Sequence, residues 1–209
     1  ARRGGPTPEL EKLRKDYGET VQFLADHQVD FDLADEYILE WFGKIQGRKL
    51  TVGKATYDLL VWPANMINLR HQTLPLLARY LEAGGEVLAL SKPAGFVDGR
   101  ASEQVKDLVK RYANQWHFVP DGPNLLAQLH ERLKPRVELD PSLQNVGLYE
   151  RILPSGDRLL FFANTGLGRA KTKVVVEGGG LERWDSTTGR IEAAFFQPAG
   201  KGTLRFDLD

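Results

Sequence analysis

The feature that most constrains this chain is a change of rhythm after Lys134-Pro135-Arg136. Before that point, stretches with helical spacing alternate with short continuous apolar runs; after it, apolar residues fall into short segments of period two. Strand, helix, strand, helix implies parallel crossovers and an open α/β sheet. Short strands punctuated by turn residues imply antiparallel pairing. The expected architecture is therefore an α/β domain over residues 1–138 and a small antiparallel β-sandwich module over residues 139–209, with Pro135 and Pro141 marking the linker.

Pro8 to Ala25 carries Leu10, Leu13, Tyr17, Val21, Phe23 and Leu24 at roughly helical spacing, with Thr7 as N-cap and Pro8 at the first helical position. Val29 to Asp32 reads as a short strand, followed by Ala34 to Glu40, and Lys49 to Val52 is a further extended piece. Tyr57 to Trp62, stopped by Pro63, is a continuous apolar run of the kind found in a strand covered on both faces. Leu69, Leu74, Leu76, Leu77, Tyr80 and Leu81 mark a helical stripe that closes at Gly84-Gly85. Glu86 to Leu90 is a second buried strand. A helix capped by Ser102, a strand from Trp116 to Val119 and a helix from Pro123 to Leu133 complete this part. The second part predicts six strands: Val146 to Leu153, Arg158 to Asn164, Lys171 to Val176, Leu181 to Trp184, Arg190 to Phe196 and Thr203 to Leu208.

Composition narrows the functional classes. Acids and bases number 28 each, and the basic residues are interspersed with acids, whereas a nucleic-acid footprint needs clustered Lys and Arg; no nucleic-acid partner is expected. Cysteine is absent, which excludes disulfides, thiolate nucleophiles and Cys-ligated metals and leaves secreted, periplasmic and cytoplasmic locations all compatible. No apolar run approaches membrane-spanning length. The chain opens on Ala1, and its one methionine is Met66, which reads as a mature, cleaved or excised piece.

Tyr57-Asp58-Leu59-Leu60-Val61-Trp62-Pro63, the helix ending Leu81-Glu82-Ala83-Gly84-Gly85 and the strand Glu86 to Leu90 resemble the glutamine-amidotransferase-like, flavodoxin-type domain found beside the catalytic barrel of several glycoside hydrolases. Asp30-Phe31-Asp32, leading through Gly47-Arg48-Lys49-Leu50 to Tyr57, is similar to the α-L-rhamnosidase family, with the β-galactosidase trimerisation domain as an architectural relative. In the tail, Arg151, Phe161-Phe162-Ala163-Asn164 and Trp184 to Gly189 resemble the β-sandwich segments that follow in those enzymes. The resemblance implies a flavodoxin-like open parallel sheet followed by an antiparallel β-sandwich. It also implies a non-catalytic accessory region of an α-L-rhamnosidase-like hydrolase, structural and helping to frame the substrate cleft. Its partners would be carbohydrate and the remainder of the parent hydrolase with its catalytic barrel. The general acid and base of such enzymes lie on that barrel, so no catalytic residue carries over and the chain alone is expected to be inactive. Amidotransferases place a nucleophilic cysteine at the turn after a central strand; Ser91-Lys92-Pro93 stand there instead, without a Gly-x-Ser-x-Gly elbow. The alternative reading is a stand-alone carbohydrate-binding or oligomerisation module that forms a homo-oligomer. A third is an independent hydrolase using Ser91.

The individual candidates sort as follows. His27, His71, His117 and His130 show no metal-ligand spacing, so no metal and no cofactor are expected. Asp30, Asp32, Asp35, Glu36 and Glu40 could supply paired carboxylates for glycoside chemistry or complement a helix dipole. Trp62 and Trp116 end predicted buried strands and read as core, whereas Trp184 and Trp41 are candidates for stacking on sugar faces. Ligands of open α/β sheets bind beyond the carboxyl ends of the strands. Those ends are Pro63 to Asn68, Ser91 to Gly99 and Pro120 to Pro123, which makes Lys92 and Phe96 further candidates for carbohydrate contact.

Overall fold

In the computed structural model, which describes residues 7–209, the Thr7 hydroxyl accepts a hydrogen bond from the Leu10 amide at 3.3 Å and opens helix α1, Pro8–Asp26. The Gly-rich start, where the sequence predicts no strand, lies outside the described residues. Of the nineteen residues of α1 only Leu24 is buried. Val29 to Asp32, expected as a strand, is irregular. No neighbouring ladder receives it, and the Asp32 carboxylate instead accepts from the Tyr57 hydroxyl at 2.5 Å. Asp35 then caps helix α2, Glu36–Phe42, by accepting from the amides of Tyr37 at 2.8 Å and Ile38 at 3.1 Å.

Strands β1 (Gly43–Gln46), β2 (Lys49–Val52) and β3 (Ala55–Tyr57) form an antiparallel meander. Their two-residue connections permit only hairpins, since a parallel neighbour needs a crossover of a dozen residues or more. Lys49 to Val52 is thereby taken out of the parallel sheet.

That sheet consists of β4 (Leu59–Trp62), followed through the short β5 (Asn68–Leu69) and helix α3 (Thr73–Glu82) by β6 (Glu86–Ala89). The chain continues through β7 (Phe96–Val97), β8 (Arg100–Ala101) and helix α4 (Gln104–Arg111) to β9 (Trp116–Phe118), and then to helix α5 (Gly122–Arg132). Strands β4, β6 and β9 pair in parallel in that order, and β5, β7 and β8 make a second small sheet. The expectation of a flavodoxin-like open sheet is corrected here: the architecture is mixed α/β with several small sheets, and among the described residues the parallel sheet has three strands. Leu69, expected on the helix, lies in β5 because Arg70 to Gln72 turn before α3 begins.

Helix α3 ends as its sequence predicts. Gly84, at φ 83°, lets its amide reach the Leu81 carbonyl while the Gly85 amide reaches the Tyr80 carbonyl, both at 2.9 Å. Gly85 is also the place where a β-carbon would lie 2.3 Å from the Tyr80 ring. Tyr80 is buried, and its hydroxyl donates to the Glu86 carbonyl at 2.9 Å and accepts from the Glu86 amide at 3.1 Å. Burial pushes its pKa up to about 12. Leu50, Trp62, Leu81, Val87, Val105 and Trp116 share the core on this side of the parallel sheet, with the Trp62 and Trp116 rings 5.1 Å apart.

By packing, residues 7–23 and Phe31–Leu129 form one unit, and Leu24–Asp30 and His130–Asp209 form another. In the second unit β10 (Val137–Asp140) precedes the hairpin β11 (Val146–Ile152) and β12 (Arg158–Asn164). After β13 (Thr172–Glu177) comes a second hairpin, β14 (Glu182–Trp184) with β15 (Ile191–Ala193), and then β16 (Gln197–Gly200) and β17 (Thr203–Leu208). The order β10-β13-β17-β16 makes one four-stranded antiparallel sheet. Val137 faces Val176, and Val176 in turn faces Leu204. Leu148, Leu160 and Phe162 of the first hairpin pack on this inner face. Gln28 joins this unit by donating its side-chain amide to the carbonyls of Leu143 at 3.0 Å and Val146 at 2.9 Å.

Candidate functional site

The carboxyl ends of β4 and β6 feed two loops, Pro63 to Ile67 and Leu90 to Gly95. The β5–β7 pairing, Asn68 with Phe96 and Leu69 with Val97, ties their far ends together. Between them opens a crevice of about 400 Å³. Its apolar wall is Met66, Ile67, Pro93, Phe96 and Phe118, and its polar groups are Asn65, Ser91 and Lys92. The position follows from the chain path: parallel strands release their loops at one edge, and the crevice lies where those loops diverge.

Each polar group has a definite state. The Ser91 hydroxyl donates to the Pro63 carbonyl at 2.9 Å. Among the described residues its hydrogen-bond partners are backbone carbonyls, with no histidine to take its proton, and a serine nucleophile needs an oriented base. Asn65, at φ 56°, donates its side-chain amide to Asp16. Lys92 is exposed and enters no ion pair among the described residues. Among the described residues the crevice thus carries one cationic group and no carboxylate on its lining.

Of the four residues proposed for carbohydrate contact, Lys92 and Phe96 meet in this crevice. Trp41 lies on α2, 67% exposed, with its ring 6.2 Å from that of Tyr37 and 6.4 Å from that of Phe42. Trp184 belongs to the second unit, 52% exposed on β14, where it faces Ile191 across the hairpin. Phe118 and Asn65 were not singled out from the sequence. Phe118 follows the core residue Trp116 by two in a strand-like run and so reads as buried, yet it is 66% exposed because β9 ends there.

Four members of the acidic cluster, Asp32, Asp35, Glu36 and Glu40, have structural duties. Asp35 caps α2, Glu36 accepts from the Arg70 amide at 2.9 Å and the Thr73 hydroxyl at 2.7 Å, and Glu40 pairs with Arg70 at 2.9 Å. The Arg70 guanidinium also stacks 3.7 Å from the Tyr37 ring centroid. His71 binds Asp98, whose carboxyl it holds below the usual carboxylate range through its ring and amide hydrogen bonds. His117 binds Glu86 at 3.1 Å. Among the described residues no group of three or more His, Cys, Asp or Glu side chains could hold a metal ion. No helix there is long and apolar enough to cross a membrane.

No protein-family model and no curated protein sequence matches the chain. Among solved structures, the fold is similar to part of the crystal structure of apo exo-carrageenase GH42 from Bacteroides ovatus, with a TM-score of 0.56 and 13% identity over 92% of this chain. The chain spans about a quarter (25%) of the length of that structure. The fold seen here therefore occurs within a glycoside hydrolase.

Proposed function

We propose that this chain is a non-catalytic accessory region of a larger carbohydrate-active glycoside hydrolase of the α-L-rhamnosidase-like kind. Its α/β part, residues 1–138, would help to frame the substrate cleft, and its β part, residues 139–209, would complete the scaffold. The observation that carries the reading is the fold likeness to one quarter of a glycoside hydrolase, extending over 92% of this chain. The crevice at the carboxyl edge of the parallel sheet, with Lys92 and Phe96, is the place where such a region would reach a sugar. Trp184 and Trp41 are the further contacts. The parent's catalytic barrel and a carbohydrate are the partners in this account.

The test is the size of the polypeptide that contains these residues in its source, measured by intact mass before any step that could trim it. A much heavier chain that hydrolyses aryl glycosides, beside a fragment that does not, supports the reading. A mass matching these residues alone overturns it.

A second reading, a self-associating module, is favoured by one observation: Tyr37, Ile38, Trp41 and Phe42 of α2 are all exposed, and no residue of that helix is buried. Sedimentation of the chain, with Trp41→Ser as control, decides between them.

A further inference from the structure

We propose that the crevice between Asn65, Ser91, Lys92, Phe96 and Phe118 binds an acidic sugar, a pyranose unit carrying a carboxylate or a sulfate ester. The inference rests on the carbohydrate reading above and goes further by assigning the ligand's charge. It follows from what each lining group still lacks. The hydroxyl proton of Ser91 is committed to the Pro63 carbonyl, so toward the crevice its oxygen only accepts. One N–H of the Asn65 amide is committed to Asp16, which leaves the Asn65 oxygen as an acceptor and the second N–H as a donor. Two acceptors in a small space call for donors, and a polyol supplies them. Among the described residues Lys92 has donors and no acidic partner, and no carboxylate lines the crevice, so an anion is the group that completes it. Phe96 and Phe118, 42% and 66% exposed, offer ring faces for the C–H surface of a pyranose.

Other ligand classes fit less well. A fatty acid would satisfy Lys92 and the phenyl rings but leave both acceptors without donors. A nucleotide polyphosphate calls for several backbone N–H groups or a cluster of cations, and the described residues of the crevice supply one lysine. A neutral sugar would use the rings and acceptors and leave the ammonium unpaired.

The experiment is titration of the 15N-labelled chain with methyl glucoside, methyl glucuronide and glucose 6-sulfate, followed by chemical shifts. The expected result is saturable shifts at Asn65 to Ile67 and Ser91 to Phe96, with the acidic sugars bound about tenfold more tightly than the neutral one. Raising the salt concentration is expected to shrink that difference. Lys92→Gln should bring all three ligands to the same affinity without moving the thermal transition, and Lys92→Arg should restore the preference. Phe118→Ala should weaken all three alike. The ratio of glucuronide to sulfate binding identifies which anion the crevice takes.

Equal affinity for neutral and acidic sugars, unchanged in Lys92→Gln, overturns the inference while leaving the carbohydrate reading in place. Shifts confined to the surroundings of Trp184 do the same. No saccharide-induced shift anywhere overturns both.

Discussion

The parallel strand β6 and the antiparallel strand β13 bury their residues in different ways. In β6 Val87, Leu88 and Ala89 are buried in succession, so both faces are covered; in β13 Thr172, Val174 and Val176 are buried while Lys173 and Glu177 face solvent. The first pattern is what helices on a parallel sheet produce. The second is that of a sheet with one packed face, and it leaves the outer surface free for polar and aromatic groups. Cohesion is therefore concentrated in the first unit's core, whereas exposed aromatic residues occur in both units, Trp41, Phe42 and Phe118 in the first and Tyr149, Phe161, Trp184 and Phe195 in the second.

The sharpest way to test that contrast is to open a cavity on each side. Leu81 on α3 is fully buried in the first core, so Leu81→Ala is expected to cost about 2–5 kcal/mol, the range for truncating a packed leucine. Urea denaturation read through Trp62 and Trp116 fluorescence measures it. A cost below about 1 kcal/mol would mean that this core yields easily, and the contrast would fail.

Val174 is as fully buried, but it sits in a smaller core with Val137, Val176 and Leu204. Val174→Ala is expected to cost about 2 kcal/mol. Hydrogen exchange should place the loss in the ladders β10–β13 and β13–β17, where Val174 faces Leu139 and Phe206. Protection lost equally from β4–β6–β9 would show that the two units do not respond separately.

Much of this contrast is legible in the sequence, and the failures have physical causes. The apolar run at Tyr57 to Trp62 yields β4 over Leu59 to Trp62, with Tyr57 left in β3, and the runs at Arg158 to Asn164 and Thr203 to Leu208 coincide with β12 and β17 because local patterning largely determines them. Val29 to Asp32 fails because alternation does not provide a neighbouring strand. The meander at Gly43 to Tyr57 is missed in part because its strands are only three or four residues long. The inclusion of Gln28 in the β unit depends on carbonyls more than a hundred residues away, which no local pattern records. For the site, the topological rule finds the loops at Asn65 and Ser91 to Phe96. The exposure of Phe118 depends on where β9 stops, so an aromatic residue in a strand-like run gives no hint of it.

Tyr80 refines the comparison within the first unit, because it carries a polar group into the core. Tyr80→Phe keeps the ring against Gly85 and removes the hydroxyl that bridges the Glu86 amide and carbonyl, at an expected cost of about 1–3 kcal/mol. The sign of its pH dependence follows from its raised pKa. The contribution is fully present below the ordinary tyrosine value of about 10 and is lost as the pH rises through about 12. Denaturation midpoints between those two values should fall in the parent and fall less in Tyr80→Phe. Parallel curves would show that another group governs alkaline unfolding.

The smallest expected effect lies at the far end of the contrast. Residues 182–193, the second hairpin with its turn, are exposed throughout, and the hairpin is closed at its base by the Ala194 amide on the Leu181 carbonyl at 3.0 Å. Trp184 touches Glu182 through its indole nitrogen at 3.4 Å and faces Ile191, and neither strand contains a buried residue. Trp184→Ala should therefore change stability by less than about 0.5 kcal/mol, as exposed substitutions do. If the ring is a sugar platform, the same variant should lose saccharide-induced shifts in this hairpin and keep those near Lys92. A stability loss above about 1 kcal/mol would instead make Trp184 a structural side chain, and the hairpin could no longer be treated as a surface held ready for a partner.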